Sequence, residues 1–172
     1  MNPLHWSFRT RYLLGFLACA GLIGYAIYVQ FVERLMPCPF CILQRIAFAA
    51  LGVVFLVGGL HAPRGSGGRR TYGVFASLAS LAGIAIAGRH VMVQLNPPPV
   101  STCSGGLDFL VAMNGWPGAI RKVLTASGDC SNIDWTFLGL TMPMWSLVWF
   151  VALGLWALHA GWKRRSSHRF HR

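Results

Sequence analysis

Cys38 and Cys41 are separated by two residues in the stretch Cys38-Pro39-Phe40-Cys41-Ile42-Leu43-Gln44-Arg45. Two sulfurs at that spacing can close into a disulfide and reopen by thiol exchange. Pro37 and Pro39 cannot sit inside a helix, but proline suits the first helical position, so the spacing predicts a helix that begins here with Cys38 as its cap. Cys41 then falls in the first turn, where backbone N–H groups lack internal partners and the positive end of the helix dipole favours a thiolate. Cys41 is therefore the candidate reactive sulfur. Arg45, four residues on and on the same helix face, puts a fixed positive charge beside that thiolate or beside a bound electron acceptor. Spacing alone does not separate this from a buried, inert pair whose arginine reaches for lipid headgroups. Haem attachment is excluded because Ile42 stands where histidine is needed, and no second Cys-x-x-Cys completes a zinc ribbon.

Two further cysteines lie in a long polar connection. Cys103 comes just after Asn96-Pro97-Pro98-Pro99 and is followed by Ser104-Gly105-Gly106, a segment an outside thiol could approach. Cys130 follows Ser127-Gly128-Asp129. A soluble dithiol that attacked one disulfide could pass its electrons to the other pair. A staple closing the 27-residue separation between Cys103 and Cys130 is an equal alternative. Four loop cysteines allow three connectivities, and spacing does not choose among them. A metal held by those four is disfavoured, since that loop offers no histidine ligand. We expect no metal.

A disulfide reoxidised within a membrane needs a lipid-soluble acceptor. Arg45 near the edge of one apolar run, with Arg89 and His90 at the corresponding end of the next, can place donors and positive charge near a quinone carbonyl. His90 can also pass protons, and interfacial anchoring is the competing role for both residues of the pair. Met142, Met144 and Trp145 can line an apolar ring site or serve as ordinary helix packing.

The elements that must hold these residues are legible from hydropathy. A chain of 172 residues that is 55% hydrophobic and 11% charged has too much apolar surface for a soluble domain, which predicts a single membrane domain. Uncharged runs predict four spans at about 12–32, 42–60, 72–90 and 143–162, the third continuing past Arg89 and His90 towards Leu95. The connections at about 33–41 and 96–138 are expected on one side of the membrane, and His61 to Arg70 reads as a short exposed loop on the other. Within the long connection, Leu107 to Leu124 mixes apolar and charged residues as a surface-lying amphipathic piece would, broken at Gly115, Pro117 and Gly118. Tyr12 to Val32 is too long for a signal-peptide core and lacks a small-x-small cleavage site, so it should stay as an anchor. Cys19, in mid-span, reads as a small packing residue.

The net charge of +11 does not point to nucleic acid, because the charges cluster outside the apolar runs. The start, the Arg64 to Arg70 loop and the Lys163 to Arg172 tail hold ten of the fifteen Lys and Arg residues. Glu33, Asp108, Asp129 and Asp134, the only acidic residues, lie in or beside the other two connections. The positive-inside rule then sets both termini in the cytoplasm and the four loop cysteines in an oxidising compartment, in a bacterium the periplasm.

With these residues in view, the chain resembles the DsbB family of bacterial inner-membrane thiol:quinone oxidoreductases along nearly its whole length. The resemblance rests on Cys38-x-x-Cys41-x-x-x-Arg45, Gln94-Leu95-Asn96-Pro97 leading to Cys103, Ala126-Ser127-Gly128-Asp129-Cys130, and Trp135-x-Phe137-Leu138-Gly139-Leu140-x-Met142-Pro143-x-Trp145. It implies an all-α bundle of four transmembrane helices with two periplasmic loops, the second long and carrying a cysteine pair. It implies resting disulfides Cys38–Cys41 and Cys103–Cys130, and a DsbA-like thioredoxin-fold partner that forms a mixed disulfide with Cys103. Cys130 would then pass the exchange to Cys38, and Cys41 would face ubiquinone or menaquinone with Arg45 beside it and His90 close to the ring. Gln44 stands where some relatives carry glutamate, and the stretch after Cys103 departs from the familiar pattern. Two other readings are a membrane scaffold stapled by structural disulfides and a quinone enzyme of the vitamin K epoxide reductase type. The latter is disfavoured because it would carry its Cys-x-x-Cys after the loop cysteines.

Overall fold

The computed structural model describes residues 7–34, 37–97, 107–125 and 135–162. Four helices are long and apolar enough to cross a membrane: α1 (Phe8–Val32), α2 (Pro39–His61), α3 (Ser66–Leu95) and α5 (Met142–Trp162). Between α3 and α5 lie a shorter helix, α4 (Leu107–Thr125), and a hairpin of β1 (Thr136–Phe137) and β2 (Leu140–Thr141). The all-α four-span architecture expected from hydropathy is the one observed.

Each end has a local cause. Ser7 caps α1 by accepting from the Thr10 N–H, so the helix starts four residues before Tyr12 and takes Arg9 and Arg11 into its first turn. The predicted His61 to Arg70 loop shrinks to four residues. α2 ends in the left-handed Ala62, whose N–H returns to Gly58 O, and α3 opens at Ser66. The glycines at 67 and 68 therefore belong to a helical turn and not to the connection. The first outer connection is also shorter than 33–41, because Pro39 to Cys41 already form the first turn of α2. The predicted amphipathic piece is α4, and its chain kinks at Gly115 (φ 66°, ψ 173°), a conformation only glycine adopts without strain.

α3 packs most extensively against α5, and α2 stands between α1 and α3. The core is aromatic rings set against small residues. Phe48 and Phe150 stack at 3.9 Å, and Tyr12 meets Phe55 edge-on at 5.2 Å. Gly83 lies so close under the Phe150 ring that any β-carbon there would collide with it, and Gly15 gives way to Phe55 in the same manner. Without a hydrophobic force between helices in lipid, such close backbone approach is how bundles gain contact. Cys19 is buried in this core, as its mid-span position suggested. A second, smaller cluster joins Phe40 and Leu43 of α2, Val93 of α3, and Leu110 and Ala119 of α4, with Cys38 packed against it. It fixes the end of the bundle where the cysteines sit.

Candidate functional site

Cys38 is the cap residue of α2, with extended backbone (φ −67°, ψ 158°) and a sulfur that accepts from the Cys41 N–H at 3.4 Å. Pro39 occupies the first helical position, as its fixed φ favours. The two sulfurs come within 2.9 Å of each other, the contact to be expected when a cap and the first turn share three-residue spacing. Both cysteines are half-buried.

The two sulfurs face different surroundings. On the Cys38 side stands His90 of α3, 2% exposed, with Nε2 at 3.7 Å from Cys38 Sγ. The imidazole stacks on Phe40 at 5.2 Å, and its Nδ1 lies 3.1 Å from the side-chain amide of the buried Gln44. These contacts hold the ring by one face and one nitrogen, leaving the other nitrogen at the sulfur. An amide can present N–H or C=O to Nδ1, so Gln44 supports either tautomer of His90, where a carboxylate would accept only.

Cys41 opens on the other side into an apolar cavity of about 390 Å³ between α1, α2, α5 and the hairpin. Leu22, Ile23 and Phe48 line its inner part, and Met142, Trp145 and Trp149 line the α5 wall. Its polar lining comes from Gln44, Arg45 and Ser146. Arg45 reaches across to α1, where Nη1 donates to Gln30 Oε1 and Nη2 donates to the Ala26 carbonyl at 3.1 Å. The guanidinium is thereby pinned at the cavity wall beside Cys41 instead of extending to the headgroups. An aromatic chain closes the end: Tyr25 to Trp135 at 6.1 Å, Trp135 to Phe137 at 6.0 Å, and Phe137 to Trp145 at 6.2 Å. The hairpin that carries it turns through Leu138 and Gly139, both at positive φ (52° and 78°), the pattern of a tight two-residue turn. Trp145 Nε1 donates to Phe137 O at 3.0 Å and Thr141 Oγ1 donates to Gln94 Oε1 at 2.9 Å, tying the hairpin to α5 and α3.

Of the residues singled out from sequence, Cys38, Cys41, Arg45 and Met142 thus converge on one end of the bundle. His90 joins them through Cys38 and not through the cavity wall, which it does not line. Arg89, its neighbour, is exposed on the outer side of α3, and Met144 is likewise absent from the cavity lining. Cys103 and Cys130 lie outside the described residues, as do the roles expected of them. Sequence reasoning missed the α1 wall, Gln30 and the hairpin. The Leu138-Gly139 pair was a readable turn signal, but leucine is a poor host for positive φ and hid it.

Among the described residues, Cys38, Cys41 and His90 also form a set whose three donor atoms lie within 4.8 Å of one another. The loop itself lacks histidine, as read from sequence, but α3 supplies one.

Known proteins resemble the chain over its full extent. A family model described as Disulfide bond formation protein DsbB matches residues 8–160. Disulfide bond formation protein B of Xanthomonas campestris pv. campestris (strain 8004) is 58% identical over 170 residues, covering 98% of this chain and 99% of that protein. The protein of the same name from Xanthomonas axonopodis pv. citri (strain 306) is 59% identical over 172 residues, 99% of this chain and 100% of its own length. That of Xylella fastidiosa (strain 9a5c) is 52% identical over 164 residues, 95% of each.

Proposed function

The chain belongs to the DsbB family, and from that membership we propose that it reoxidises a periplasmic DsbA-like protein and delivers the electrons to membrane quinone. A role in disulfide bond formation and a multi-pass membrane architecture follow from the family and the four apolar helices. The relay, its partner, its acceptor and the inner-membrane placement with both termini cytoplasmic are our reading. The observation that carries it is that Cys41 and Arg45 line one apolar cavity while Cys38, 2.9 Å from Cys41, does not line it and meets His90 instead.

In this reading a thiolate of the reduced partner attacks Cys103 of a Cys103–Cys130 disulfide, forming a mixed disulfide and releasing Cys130. The partner's second thiolate displaces Cys103 and leaves oxidised. Cys130 attacks Cys38 of the Cys38–Cys41 disulfide and releases Cys41 as a thiolate; attack by Cys103 on Cys130 then frees Cys38 and restores the loop disulfide. A quinone held in the cavity would accept two electrons and two protons, so that one dithiol and one quinone give one disulfide and one quinol. The cavity residues suit such a ring, with apolar and aromatic walls and a cation where negative charge would develop. Arg45 stabilises the Cys41 thiolate and stays in place because Gln30 and Ala26 hold it. His90 holds or moves the proton at Cys38 Sγ, and Gln44 lets it do either by turning its amide.

The test is oxygen-free turnover of the purified chain with a reduced DsbA-like protein and a soluble ubiquinone analogue, followed by quinone absorbance. Cys41→Ser should abolish quinone reduction, and Cys103→Ser should block exchange with the soluble protein. Full activity in either variant overturns the assignment. An unchanged redox state with quinone bound would return the chain to the stapled-scaffold reading.

A further inference from the structure

We propose that Cys38, Cys41 and His90, in the dithiol state, form a capture site for a thiophilic divalent cation such as Zn2+ or Cd2+. This goes beyond the relay and concerns an ion that arrests the pair, not a resident cofactor. Three donors converge from two helices: Cys38 and Cys41 from the start of α2, and His90 Nε2 from α3.

The distances suit a tetrahedral ion. Bond lengths of about 2.3 Å to sulfur and 2.0–2.1 Å to nitrogen place S···S near 3.8 Å and S···N near 3.6 Å. Cys38 Sγ and His90 Nε2 already lie 3.7 Å apart. The sulfurs must open from 2.9 Å by about 1 Å, a side-chain rotation for residues in a cap and a first turn. Cys-x-x-Cys at a helix start, with the second N–H directed at the first sulfur (3.4 Å here), arranges two thiolates on one side of the turn.

Charge and support agree. Two thiolates and one divalent ion sum to zero, so the loaded site carries no net charge into a half-buried, apolar setting. A metal-bound histidine needs its second nitrogen held as a donor, and Gln44 lies 3.1 Å from Nδ1 with an amide oxygen it can turn to accept. Phe40 covers one face of the ring. The fourth position is left to water or solute. Binding releases two protons from the two thiols, changes no oxidation state, and removes from the relay the two sulfurs it must oxidise.

The full chain, reduced in detergent, is titrated with Cd2+ alone and followed by the ultraviolet thiolate-to-metal band, a readout independent of turnover. We expect one equivalent per chain, unchanged in the Cys103→Ser/Cys130→Ser double variant and absent in Cys38→Ser. Gln44→Leu should weaken binding about tenfold, within the range for loss of a ligand's supporting hydrogen bond, and His90→Ala by more. In the unsubstituted chain, Cd2+ should shield Cys38 and Cys41 together from alkylation, read by mass spectrometry, which needs no variant to fold. A band that requires Cys103 or Cys130, indifference to His90, or alkylation of Cys38 and Cys41 at an undiminished rate would each overturn the site. Failure of the relay would appear instead as absent quinone turnover with this band intact.

Discussion

Gln30→Leu tests the assigned role of Arg45 without touching a reacting atom. Gln30 Oε1 takes one guanidinium N–H and the Ala26 carbonyl takes another, so the substitution removes one of the two contacts that hold Arg45 to α1 while keeping side-chain size. A hydrogen bond to a charged group contributes about 1.5–3 kcal/mol net, which corresponds to roughly 10- to 150-fold. The Ala26 contact survives, and the guanidinium can still reach the cavity for part of the time, so the low end applies. We expect kcat/KM for a quinone analogue to fall about tenfold. The rate of thiol exchange with a reduced DsbA-like protein, measured in a single turnover without quinone, should stay within about twofold, because Cys38 and its surroundings are unchanged. Gln30→Glu should preserve the anchor and most of the activity. An unaltered kcat/KM in Gln30→Leu, or an equal loss in the quinone-free exchange, would show that pinning Arg45 at the cavity wall is not what the reaction needs.

Tyr12→Phe should raise thermal stability in detergent. The Tyr12 hydroxyl is fully buried with no hydrogen-bond partner among the described residues, and relief of an unmet polar group is worth about 1–2 kcal/mol. A drop in Tm would reveal a partner. Gly83→Val should cost about 1–3 kcal/mol, or prevent assembly, since its branched side chain meets the Phe150 ring; scanning calorimetry or detergent-dependent aggregation reads either result. Trp145→Phe keeps an aromatic side chain but replaces the indole by a smaller ring and deletes the bond to Phe137 O, at about 1 kcal/mol, and should loosen the hairpin so that quinone KM rises while kcat holds. Cys19→Ala should leave turnover unchanged, because a sulfur 1% exposed in the core is unavailable for exchange.

What the sequence made legible was local. Proline at the first helical position and the three-residue spacing put Cys38 at the cap and Cys41 in the first turn before any packing was known, and uncharged stretches of about 20 residues located the spans. Helix ends were less legible, because Arg9, Arg11 and the glycines at 67 and 68 look like loop residues while a cap and the following turns hold them helical. The partner of His90 depended on the rotation of α3 about its own axis relative to α2, which hydropathy does not encode when a helix is apolar all round. That is why the contact of His90 with Cys38 is not legible in the sequence. The α1 wall of the cavity was hidden for the same reason: Leu22, Ile23 and Ala26 resemble every other lipid-facing residue of that helix until α2 and α5 are set against them.

The capping sulfur has a second consequence. In the proposed relay Cys38 both caps the start of α2 and exchanges electrons, so each cycle would rewrite the hydrogen bonding of the first turn. Once His90 takes its proton, the Cys38 sulfur accepts strongly from the Cys41 N–H, whereas a sulfur engaged in a disulfide accepts weakly, and a cap is worth about 1 kcal/mol. The fraying of that turn is then a gauge of oxidation state. Amide hydrogen exchange at Cys41 should run several-fold slower in the reduced chain than in the oxidised one, which makes a backbone proton a reporter of where the electrons are.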